Sequence, residues 1–302
     1  MTVSLVELRA AGVFKHVSSP ALAREVGAIA AIEPSASVVV TGIGHSAGPA
    51  RYLASLLSAR FVPMSAFLGE PPKADVLVVF SQHLCPNAHF ALSHHDVFAR
   101  TILFTSDHSP HAAIEVVRLP PSEEKGTLLR ILGPSVAMFA AAQFAGLQPV
   151  PEASRAAPPP FDVSTLLEAP LAFVAAGEHV AAYRALAWKL VEAWSIAEPP
   201  VWDVLEFAHG PYQQLFGKCG TVIACESSDP RDCDLFDRLA RVLAPSGQQI
   251  LRLRSIAPRP LALLEHDAMV TAILLAGLRA RPRDLTTWEG MGLDAPLYEL
   301  AP

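Results

Sequence analysis

A glycine-rich turn near the start of the chain carries the residue types of an anion-binding site. The turn, Gly42–Ser46, follows the apolar run Val38–Thr41 and precedes a helical pattern of alanine and leucine. A strand, a glycine-rich turn and a helix start bring together free backbone N–H groups and the positive end of the helix dipole. We therefore predict that Gly44 and Ser46 bind an oxygen-rich or phosphorylated ligand. Ser46 could alternatively cap the helix.

A histidine beside a glycine-proline turn is the second candidate. The segment Glu206–Pro211 places His209 directly before Gly210, in a stretch that we predict to be a loop. An imidazole with an ordinary pKa of about 6.5 gives or takes a proton at neutral pH. His209 is thus a candidate acid or base, and Glu206 either contacts the ligand or orients the loop. The alternative for His209 is a hydrogen bond that only braces the turn.

The elements that must position these residues alternate between strand patterns and helix patterns. Strands are predicted at Ser37–Gly42, Phe61–Met64, Val76–Ser81, Thr101–Thr105, Leu171–Ala175, Val201–Leu205, Thr221–Glu226 and Gln249–Arg252. Helices are predicted at Pro20–Ala31, Gly48–Leu57, Ala88–Val97, Leu128–Ala145, His179–Ile196, Asp234–Leu243 and Leu263–Leu278. This alternation predicts an α/β fold with mostly parallel sheets flanked by helices.

A proline-rich segment predicts where the chain divides. Residues 149–164 have almost no periodicity and include three consecutive prolines, which suits neither a helix nor a central strand. We predict a first domain at 1–150, a linker at 151–164 and a second domain at 165–302. Each half repeats an apolar strand, a turn with glycine (Gly42 and Gly44, or Gly177) and an Ala/Leu-rich helix. A chance similarity of two α/β layers is the alternative.

Composition argues against several classes of protein. The chain has 302 residues, of which 51% are hydrophobic and 17% charged, and its net charge is −6, so a large core is available. It has no cluster of lysine and arginine, which argues against nucleic acid as a partner. The first ten residues lack a signal-peptide core, and apolar stretches such as Ser135–Leu147 are too short for a membrane span. The 4 cysteines lack CxxC spacing and are interpreted as reduced thiols of a cytoplasmic protein.

Five segments, in their order along the chain, resemble one known family. They are Val38–Ser46, Asp75–Gln82, Ala187–Glu192, Glu206–Pro211 and Arg281–Leu285. Together they resemble the double-domain sugar isomerase (SIS) family, as in the isomerase half of glucosamine-fructose-6-phosphate aminotransferase. The resemblance implies two SIS-type units, a sugar-derivative ligand and no cofactor. It also implies a homodimer with shared active sites, because the family's loop histidine reaches the active site of the neighbouring subunit.

The resemblance makes Glu192 the candidate general base. Sugar isomerisation moves a proton between adjacent carbons, and a positioned carboxylate can carry it through an enediol or enaminol. The other residues of Leu190–Trp194 are apolar, which favours this role. The alternative is a surface glutamate, either exposed or paired with Lys189. His209 would then open the sugar ring or transfer a proton at the ring oxygen.

The resemblance also implies that Ser81 and Gln82 bind a phosphate, but the chain departs from the family directly after them. The family continues Ser-Gln-Ser-Gly-Glu-Thr, whereas His83 and Leu84 follow here. Leucine does not readily adopt the positive φ that glycine permits. Either His83 replaces the missing serine as a donor to the ligand, or the ligand carries no phosphate. No lysine follows Leu285 in the position of the family's aminotransferase, so lysine-assisted ring opening is not expected.

A cluster of histidines and one cysteine offers a different chemistry. His83, Cys85, His89, His94 and His95 fall within thirteen positions, and imidazole and thiolate are ligands of zinc. Their spacing matches no zinc motif, so we predict no metal site and favour a ligand pocket that uses His83. A nucleophilic cysteine is less favoured because the sequence fixes no activating base beside it.

The residues together predict an enzyme that acts on a sugar phosphate or an amino-sugar derivative. The reaction would be isomerisation, deamination or deglycation, each of which transfers a proton beside a carbonyl or imine. Two alternatives remain: a non-catalytic sensor that binds a sugar phosphate, and a divergent enzyme with a non-phosphorylated substrate. The predicted partners are a small sugar derivative and a second copy of the chain, and neither nucleic acid nor a membrane.

Overall fold

Two parallel β-sheets form the frame on which the candidate residues lie. The computed structural model describes residues 3–107, 112–122, 124–217, 220–293 and 296. These residues group into two compact units. The N-terminal unit contains Ala11–Pro149 and the described residues from Leu285 onwards. The C-terminal unit contains Val150–Asp284 and the described residues before Ala11.

The N-terminal unit is built on a parallel sheet with the order β2-β1-β3-β4-β5. Its elements are α1 (Val3–Val17), α2 (Pro20–Gly27), β1 (Val38–Gly42), α3 (Ala47–Leu56), β2 (Arg60–Phe61), β3 (Val76–Phe80), α4 (Pro86–Leu92), β4 (Arg100–Thr105), β5 (Glu115–Arg118) and α5 (Leu132–Phe144). Helix α1 begins among the residues grouped with the C-terminal unit. Short 3-10 turns lie at Gly44–Ser46, Met64–Leu68 and His95–Val97.

Strands β1 and β3 end side by side at the carboxyl edge of this sheet. Gly42 pairs with Phe80, the last residue of each strand. Every residue of β3 is buried, which accounts for its uninterrupted apolar sequence. The chain leaves β1 toward β2 on one side and then returns to β3 on the other side. The crevice between the ends of β1 and β3 is therefore a topological switch point, where ligands bind in open α/β sheets.

The C-terminal unit is built on a second parallel sheet, with the order β7-β6-β8-β9. Its elements are α6 (Val163–Glu168), β6 (Leu171–Ala175), α7 (Arg184–Trp194), β7 (Val201–Asp203), α8 (Val204–Ala208), α9 (Pro211–Leu215), β8 (Gly220–Glu226), α10 (Pro230–Leu243), β9 (Gln248–Arg254) and α11 (Arg259–Ala280). The switch point of this sheet lies between β6 and β8.

Helices α7 and α11 are joined by a buried ion pair. Lys189 Nζ lies 2.5 Å from Asp267 Oδ1, and it also donates to Thr271 Oγ1 at 3.4 Å. Both charged side chains are almost completely buried. Removing one partner would leave an uncompensated charge in the core, so this pair fixes the two helices against each other.

Helix α11 corrects the prediction that the apolar stretches are too short for a membrane span. The predicted helix Leu263–Leu278 extends at both ends to 22 residues, and its mean hydropathy is 1.6. By length and composition it could cross a membrane, and it is the one such helix within the described ranges. However, 78% of this apolar stretch is buried in the structure, as in the core helix of a soluble protein.

The α/β fold class with two helix-flanked parallel sheets is confirmed, while several elements differ from the sequence prediction. Strand β5 and helices α1, α6, α8 and α9 were not predicted, and β2 is confined to Arg60–Phe61. The predicted loop Glu206–Pro211 is wrong in part, because only His209 and Gly210 lie between α8 and α9. The predicted linker contains a 3-10 turn, Pro151–Arg155, that packs on α11. The described residues before Ala11 group with the C-terminal unit, and those from Leu285 onwards group with the N-terminal unit, whereas the sequence prediction placed each end with its own half. Contacts between residues that are far apart in the sequence decide this grouping, and such contacts cannot be predicted from the proline content.

Candidate functional site

The turn after β1 depends on a glycine without space for a side chain. A Cβ on Gly42 would lie 2.5 Å from the carbonyl oxygen of Ser46 and 3.1 Å from the Cβ of Ala50. Gly44 adopts a φ of +56°, which glycine tolerates better than other residues. The backbone N–H of Ser46 donates to the carbonyl of Ile43 at 3.1 Å. Strand β1 therefore passes directly into the start of helix α3.

Ser46 occupies the N-cap position of α3, yet its side chain makes no capping hydrogen bond. The alternative role proposed from the sequence, a side-chain cap, is therefore not observed. The residue is half-buried, so its hydroxyl lies beside the start of the helix and can still donate to or accept from a ligand. Because the positive end of the helix dipole lies at the same place, an anion would be favoured there.

Ser81 and Gln82, in contrast, form hydrogen bonds within the loop that follows β3 and to the segments that follow β4 and β5. Ser81 Oγ donates to the carbonyl of His83 at 3.1 Å, and Gln82 Nε2 donates to the carbonyl of Pro120 at 3.1 Å. The carbonyl of Gln82 accepts from both the backbone and the hydroxyl of Ser106. Both predicted binding residues are buried. The hydrogen bonds of Ser81 and Gln82 thus hold the loop in place.

A crevice brings Ser46, Ser81 and Gln82 together at the switch point of the N-terminal sheet. It is lined by His45, Ser46, Pro49, Phe80, Ser81, Gln82, Phe104, Leu119, Arg130, Gly133, Pro134 and Ala137. The cavity has a volume of about 10 Å³, enough for about one water molecule. A sugar ring does not fit inside this space, so only the oxygen atoms of a small group can enter. Gly44 belongs to the turn beside the crevice but does not line it.

Arg130 lines the crevice and was missed by the sequence interpretation. It is half-buried, and no ion pair or hydrogen bond connects it to any residue that the structure describes. The only signal in the sequence is a single cation shortly before an apolar helix. Such a position is common on protein surfaces, so the sequence alone could not identify it.

Glu124 is a second functional group that the sequence interpretation missed. Its carboxylate is 1% exposed and accepts from the backbone N–H groups of Ile131, Leu132 and Gly133 at 2.7 to 2.9 Å. These donors lie at the start of α5, where Gly133 and Pro134 line the crevice. Because the carboxylate already satisfies them, the N-terminus of α5 offers no free N–H group of these three to a ligand.

His83 does not line the crevice, contrary to the prediction that it donates to the ligand there. Its Nε2 atom is buried without a hydrogen-bond partner among the described residues, while the ring bonds to the backbone of Ser122. Burial and the nearby charge of Arg130 hold the pKa of His83 below its usual value, with a smaller contribution from Lys125. The ring is therefore neutral near pH 7.

The remaining residues of the histidine cluster do not converge on one point. Cys85 packs against a hydrophobic core cluster, His94 contacts the ring of Phe90, and His95 Nδ1 lies 3.2 Å from the carbonyl of Leu92. No group of three potential metal ligands comes together in the described part of the chain. Of the cysteines, Cys85, Cys225 and Cys233 are free thiols, and Cys219 lies outside the described residues.

Glu192 lies in the last turn of α7, in the C-terminal unit. It is half-buried, and the neighbouring Ala193 and Trp194 are buried. The helix ends at Ser195, which adopts a left-handed φ of 55°. A carboxylate close to the negative end of a helix dipole is electrostatically unfavourable. The helix dipole therefore does not favour the charge of Glu192 at this position.

Glu206 and His209 lie on the surface of the C-terminal unit. His209 stands between α8 and α9, its backbone N–H donates to the carbonyl of Glu206 at 3.0 Å, and Gly210 adopts a φ of 134°. Both side chains are exposed, and neither forms a hydrogen bond with a described residue. The alternative that the His209 side chain braces the turn is not observed, so its imidazole can meet another molecule.

The switch point of the C-terminal sheet is filled by an arginine. The side chain of Arg259 lies against Gly177, where a Cβ would come within 2.9 Å of it. Arg259 Nη2 is paired with Asp232 Oδ1 at 2.5 Å, and the hydroxyl of Ser227 donates to the other oxygen of the same carboxylate. These charges compensate one another. The crevice at the N-terminal switch point, in contrast, is lined by Arg130, which has no ion-pair partner among the described residues.

Solved structures with the same chain architecture include three with named functions. Glucosamine-6-phosphate deaminase from Thermotoga maritima is 18% identical, with a TM-score of 0.67 over 93% of this chain and 95% of that one. Tagatose-6-phosphate ketose/aldose isomerase from Escherichia coli is 15% identical, with a TM-score of 0.62 over 94% of each chain. The C-terminal domain of glucosamine-fructose-6-phosphate aminotransferase from Francisella tularensis is 10% identical, with a TM-score of 0.68 over 93% and 97%.

The chain has the fold of these phosphosugar proteins. The likeness extends over nearly the full length on both sides, so it includes both sheets. No protein-family model matches the sequence, and no curated protein matches it. Since the identities are low, the comparison shows the fold, and the residues must support any activity.

Proposed function

We propose that the chain is an enzyme of the sugar isomerase type that acts on a sugar phosphate or an amino-sugar derivative. The observation that carries the proposal is the crevice at the N-terminal switch point, where the free Ser46 hydroxyl and Arg130 lie between the ends of β1 and β3. The switch point is where open α/β sheets bind ligands. The solved structures with this fold are named for reactions of phosphorylated sugars, which supports the same substrate class.

Glu192 is the proposed general base and His209 the proposed acid or base partner. Isomerisation, deamination and deglycation all require a proton to leave a carbon beside a carbonyl or imine. A half-buried carboxylate can take this proton, and an exposed loop imidazole can transfer one at the ring oxygen. Glu206 would contact the ligand or orient the loop of His209. These steps use only side chains of the chain itself, so the proposal includes no cofactor.

The proposal also includes a cytoplasmic homodimer with shared active sites. An exposed histidine without a side-chain partner is available to a second copy of the chain, and the free thiols of Cys85, Cys225 and Cys233 are consistent with a reducing compartment. Neither nucleic acid nor a membrane is a proposed partner.

A binding protein without turnover is the second candidate, and the closed loop after β3 favours it. Ser81 and Gln82 are already hydrogen-bonded within the protein, so the family's phosphate contacts would have to be remade. A protein that lost these contacts during divergence could keep ligand binding and lose catalysis.

Replacing Glu192 by glutamine separates the two candidates. Glu192→Gln keeps the size and shape of the side chain but removes the base, so turnover should fall by about a hundredfold or more. Ligand affinity, measured by thermal melting against phosphorylated sugars and amino sugars, should remain within about twofold. Glu33→Gln, an exposed glutamate of the N-terminal unit, is the matched control.

Isomerase and deaminase assays with the sugars that shift the melting temperature complete the test. If Glu192→Gln retains the turnover of the wild type, Glu192 is not the base and the catalytic proposal is wrong. If the wild type binds these sugars without converting any of them, the binding protein is the correct function.

A further inference from the structure

We propose that Arg130, together with Ser46, holds an oxyanion of the ligand at the crevice, in place of the closed Ser81-Gln82 loop. This inference rests on the ligand-binding part of the proposed function and not on its catalytic part. It assigns the specificity for a phosphate-type group to a residue that lies outside the segments resembling the SIS family.

Several arginines at strand ends and at the start of α11 are compensated by a carboxylate, whereas Arg130 is not. Arg118, at the end of β5, also lacks an ion pair among the described residues, but it does not line the crevice. Arg100 pairs with Glu115, Arg252 with Glu226, and Arg259 with Asp232. Arg130 has no carboxylate partner among residues described in the structure, although it is half-buried. An arginine that is partly removed from water without a counter-ion retains its full capacity to bind an anion, and its planar fork matches two oxygen atoms at once.

Glu124, a carboxylate that like Arg130 acts on His83, forms no ion pair with Arg130. Glu124 is fixed by three N–H groups at the start of α5, so its charge is opposed by the dipole of that helix. The Ser81 hydroxyl and one N–H of the Gln82 amide already have carbonyl acceptors. Ser46 and Arg130 are the polar residues of the crevice lining whose side chains have no hydrogen-bond partner among the described residues.

The size of the crevice limits what can bind there. With a volume of about 10 Å³, the space takes about one water-sized group, such as a single oxygen of a phosphate. The rest of the anion would lie at the mouth, beside the start of α3, and the sugar would remain outside. Aromatic and apolar side chains, Phe80, Phe104 and Leu119, form the inner wall, so a second charge is not accommodated deeper inside.

His83 reports on an anion at Arg130. Burial lowers the pKa of His83 most, the charges of Arg130 and Lys125 lower it further, and the hydrogen bond to the Ser122 backbone and the charge of Glu124 raise it. An anion bound to Arg130 would offset the positive potential, so the pKa of His83 should rise. Truncating the guanidinium should raise the pKa as well, without any anion.

The experiment is an NMR titration of the full-length protein with sodium sulfate at constant ionic strength. Sulfate keeps its charge over the pH range of histidine, and its effect on the His83 imidazole, identified with a His83→Gln variant, gives the dissociation constant. Arg130→Gln should weaken sulfate binding by at least about tenfold, because a charge-assisted bidentate contact is lost. Arg130→Lys keeps the positive charge and should retain part of the sulfate affinity. This conservative variant also checks that weaker binding in Arg130→Gln is not caused by unfolding.

Arg24→Gln, an exposed arginine on α2 of the same unit, should bind sulfate like the wild type. Glucose 6-phosphate should raise the melting temperature of the wild type more than glucose does, and Arg130→Gln should remove this difference. Equal sulfate affinity of Arg130→Gln and the wild type overturns the proposal. It is also overturned if the His83 resonance of the wild type does not shift when sulfate is added. Failure of the catalytic proposal would be visible only with Glu192→Gln, which should bind sulfate normally.

Discussion

Among the polar residues that line the crevice, Ser46 and Arg130 are those whose side chains have no hydrogen-bond partner within the described chain. A hydrogen bond that is already made contributes nothing new when a ligand arrives, since one bond is only exchanged for another. A partly buried donor without a partner gains about 1 to 3 kcal/mol when it finds one. Binding energy at the residue scale should therefore come from these two side chains more than from Ser81 and Gln82.

Gly42→Ala is predicted to destabilise the N-terminal unit. The added Cβ would lie 2.5 Å from the Ser46 carbonyl oxygen and 2.9 Å from its carbon, and backbone atoms at the start of α3 cannot move away as a flexible side chain would. We expect the free energy of unfolding to fall by about 1–3 kcal/mol. Urea unfolding monitored by circular dichroism measures this change.

Gly27→Ala is the matched control for this prediction. Gly27 is the last residue of α2, and a Cβ there meets nothing within 4 Å. Since alanine restricts the unfolded chain more than glycine does, this variant should be neutral or more stable by up to about 1 kcal/mol. Equal destabilisation by both variants would show that the turn after β1 is not closely packed.

The two sheets use the same element, a strand followed by a glycine-containing turn and a helix, with different results. After β1 the turn leaves a crevice with an unpaired cation, whereas after β6 the Arg259 side chain covers Gly177 and is neutralised by Asp232. The element therefore supplies a possible binding site, and the neighbouring side chains decide whether it stays open. This difference supports the proposal that the anion binds at the N-terminal unit.

A buried histidine at the centre of the C-terminal unit predicts loss of stability in acid. His266 Nε2 donates to the carbonyl of Leu253 at 2.9 Å, so its Nδ1 accepts from the hydroxyl of Tyr183. Burial lowers the pKa of His266 from 6.5 to about 4. The unfolded state therefore binds a proton more readily, and stability is lost as the pH falls from about 6.5 to about 4, by up to about 3 kcal/mol.

The measurement is urea unfolding as a function of pH for the wild type and His266→Gln. The lowered pKa values of His83 and His179 act in the same direction, so the quantity of interest is the difference in slope between the two proteins. The variant should lose less stability between pH 6.5 and pH 4 than the wild type does. A His266 imidazole that titrates near its ordinary pKa in NMR spectra would contradict the prediction.

At the scale of the whole molecule, the candidate residues are distributed over both units. Gly44, Ser46, Ser81 and Gln82 belong to the N-terminal unit, and Glu192, Glu206 and His209 to the C-terminal unit. A mixing experiment tests whether Glu192 and His209 act across two copies of the chain. Glu192→Gln and His209→Ala, each inactive alone, should regain activity when co-folded, because one site of a hybrid dimer then keeps both intact residues.

Light scattering of the wild type, which should give twice the mass of one chain, accompanies the mixing experiment. The control is co-folding of Glu192→Gln with a second variant on the same residue, Glu192→Ala, which provides no intact site. If the mixture of Glu192→Gln and His209→Ala stays inactive although hybrid dimers form, the two residues do not act across subunits.

Periodicity and local composition were sufficient to predict the strands around the crevice. The prediction of Ser37–Gly42 and Val76–Ser81 depended on apolar β-branched runs, and the structure places β1 and β3 within these bounds. Local patterns reveal such strands because a strand that is buried on both faces must be apolar throughout. The amphipathic α1 and the short β5 and α6 carry weaker patterns, so they were missed.

The sequence by itself determined the α/β class, the glycine-rich turn and the chemical nature of the candidate residues, because these follow from local residue types. Only the tertiary structure decided which donors are already satisfied. It showed that Ser81 and Gln82 bond to carbonyls of the protein, that His83 does not line the crevice, and that Arg130 has no counter-ion among described residues. Hydrogen-bond partners and charge compensation come from segments far apart in the chain, and no local pattern encodes them.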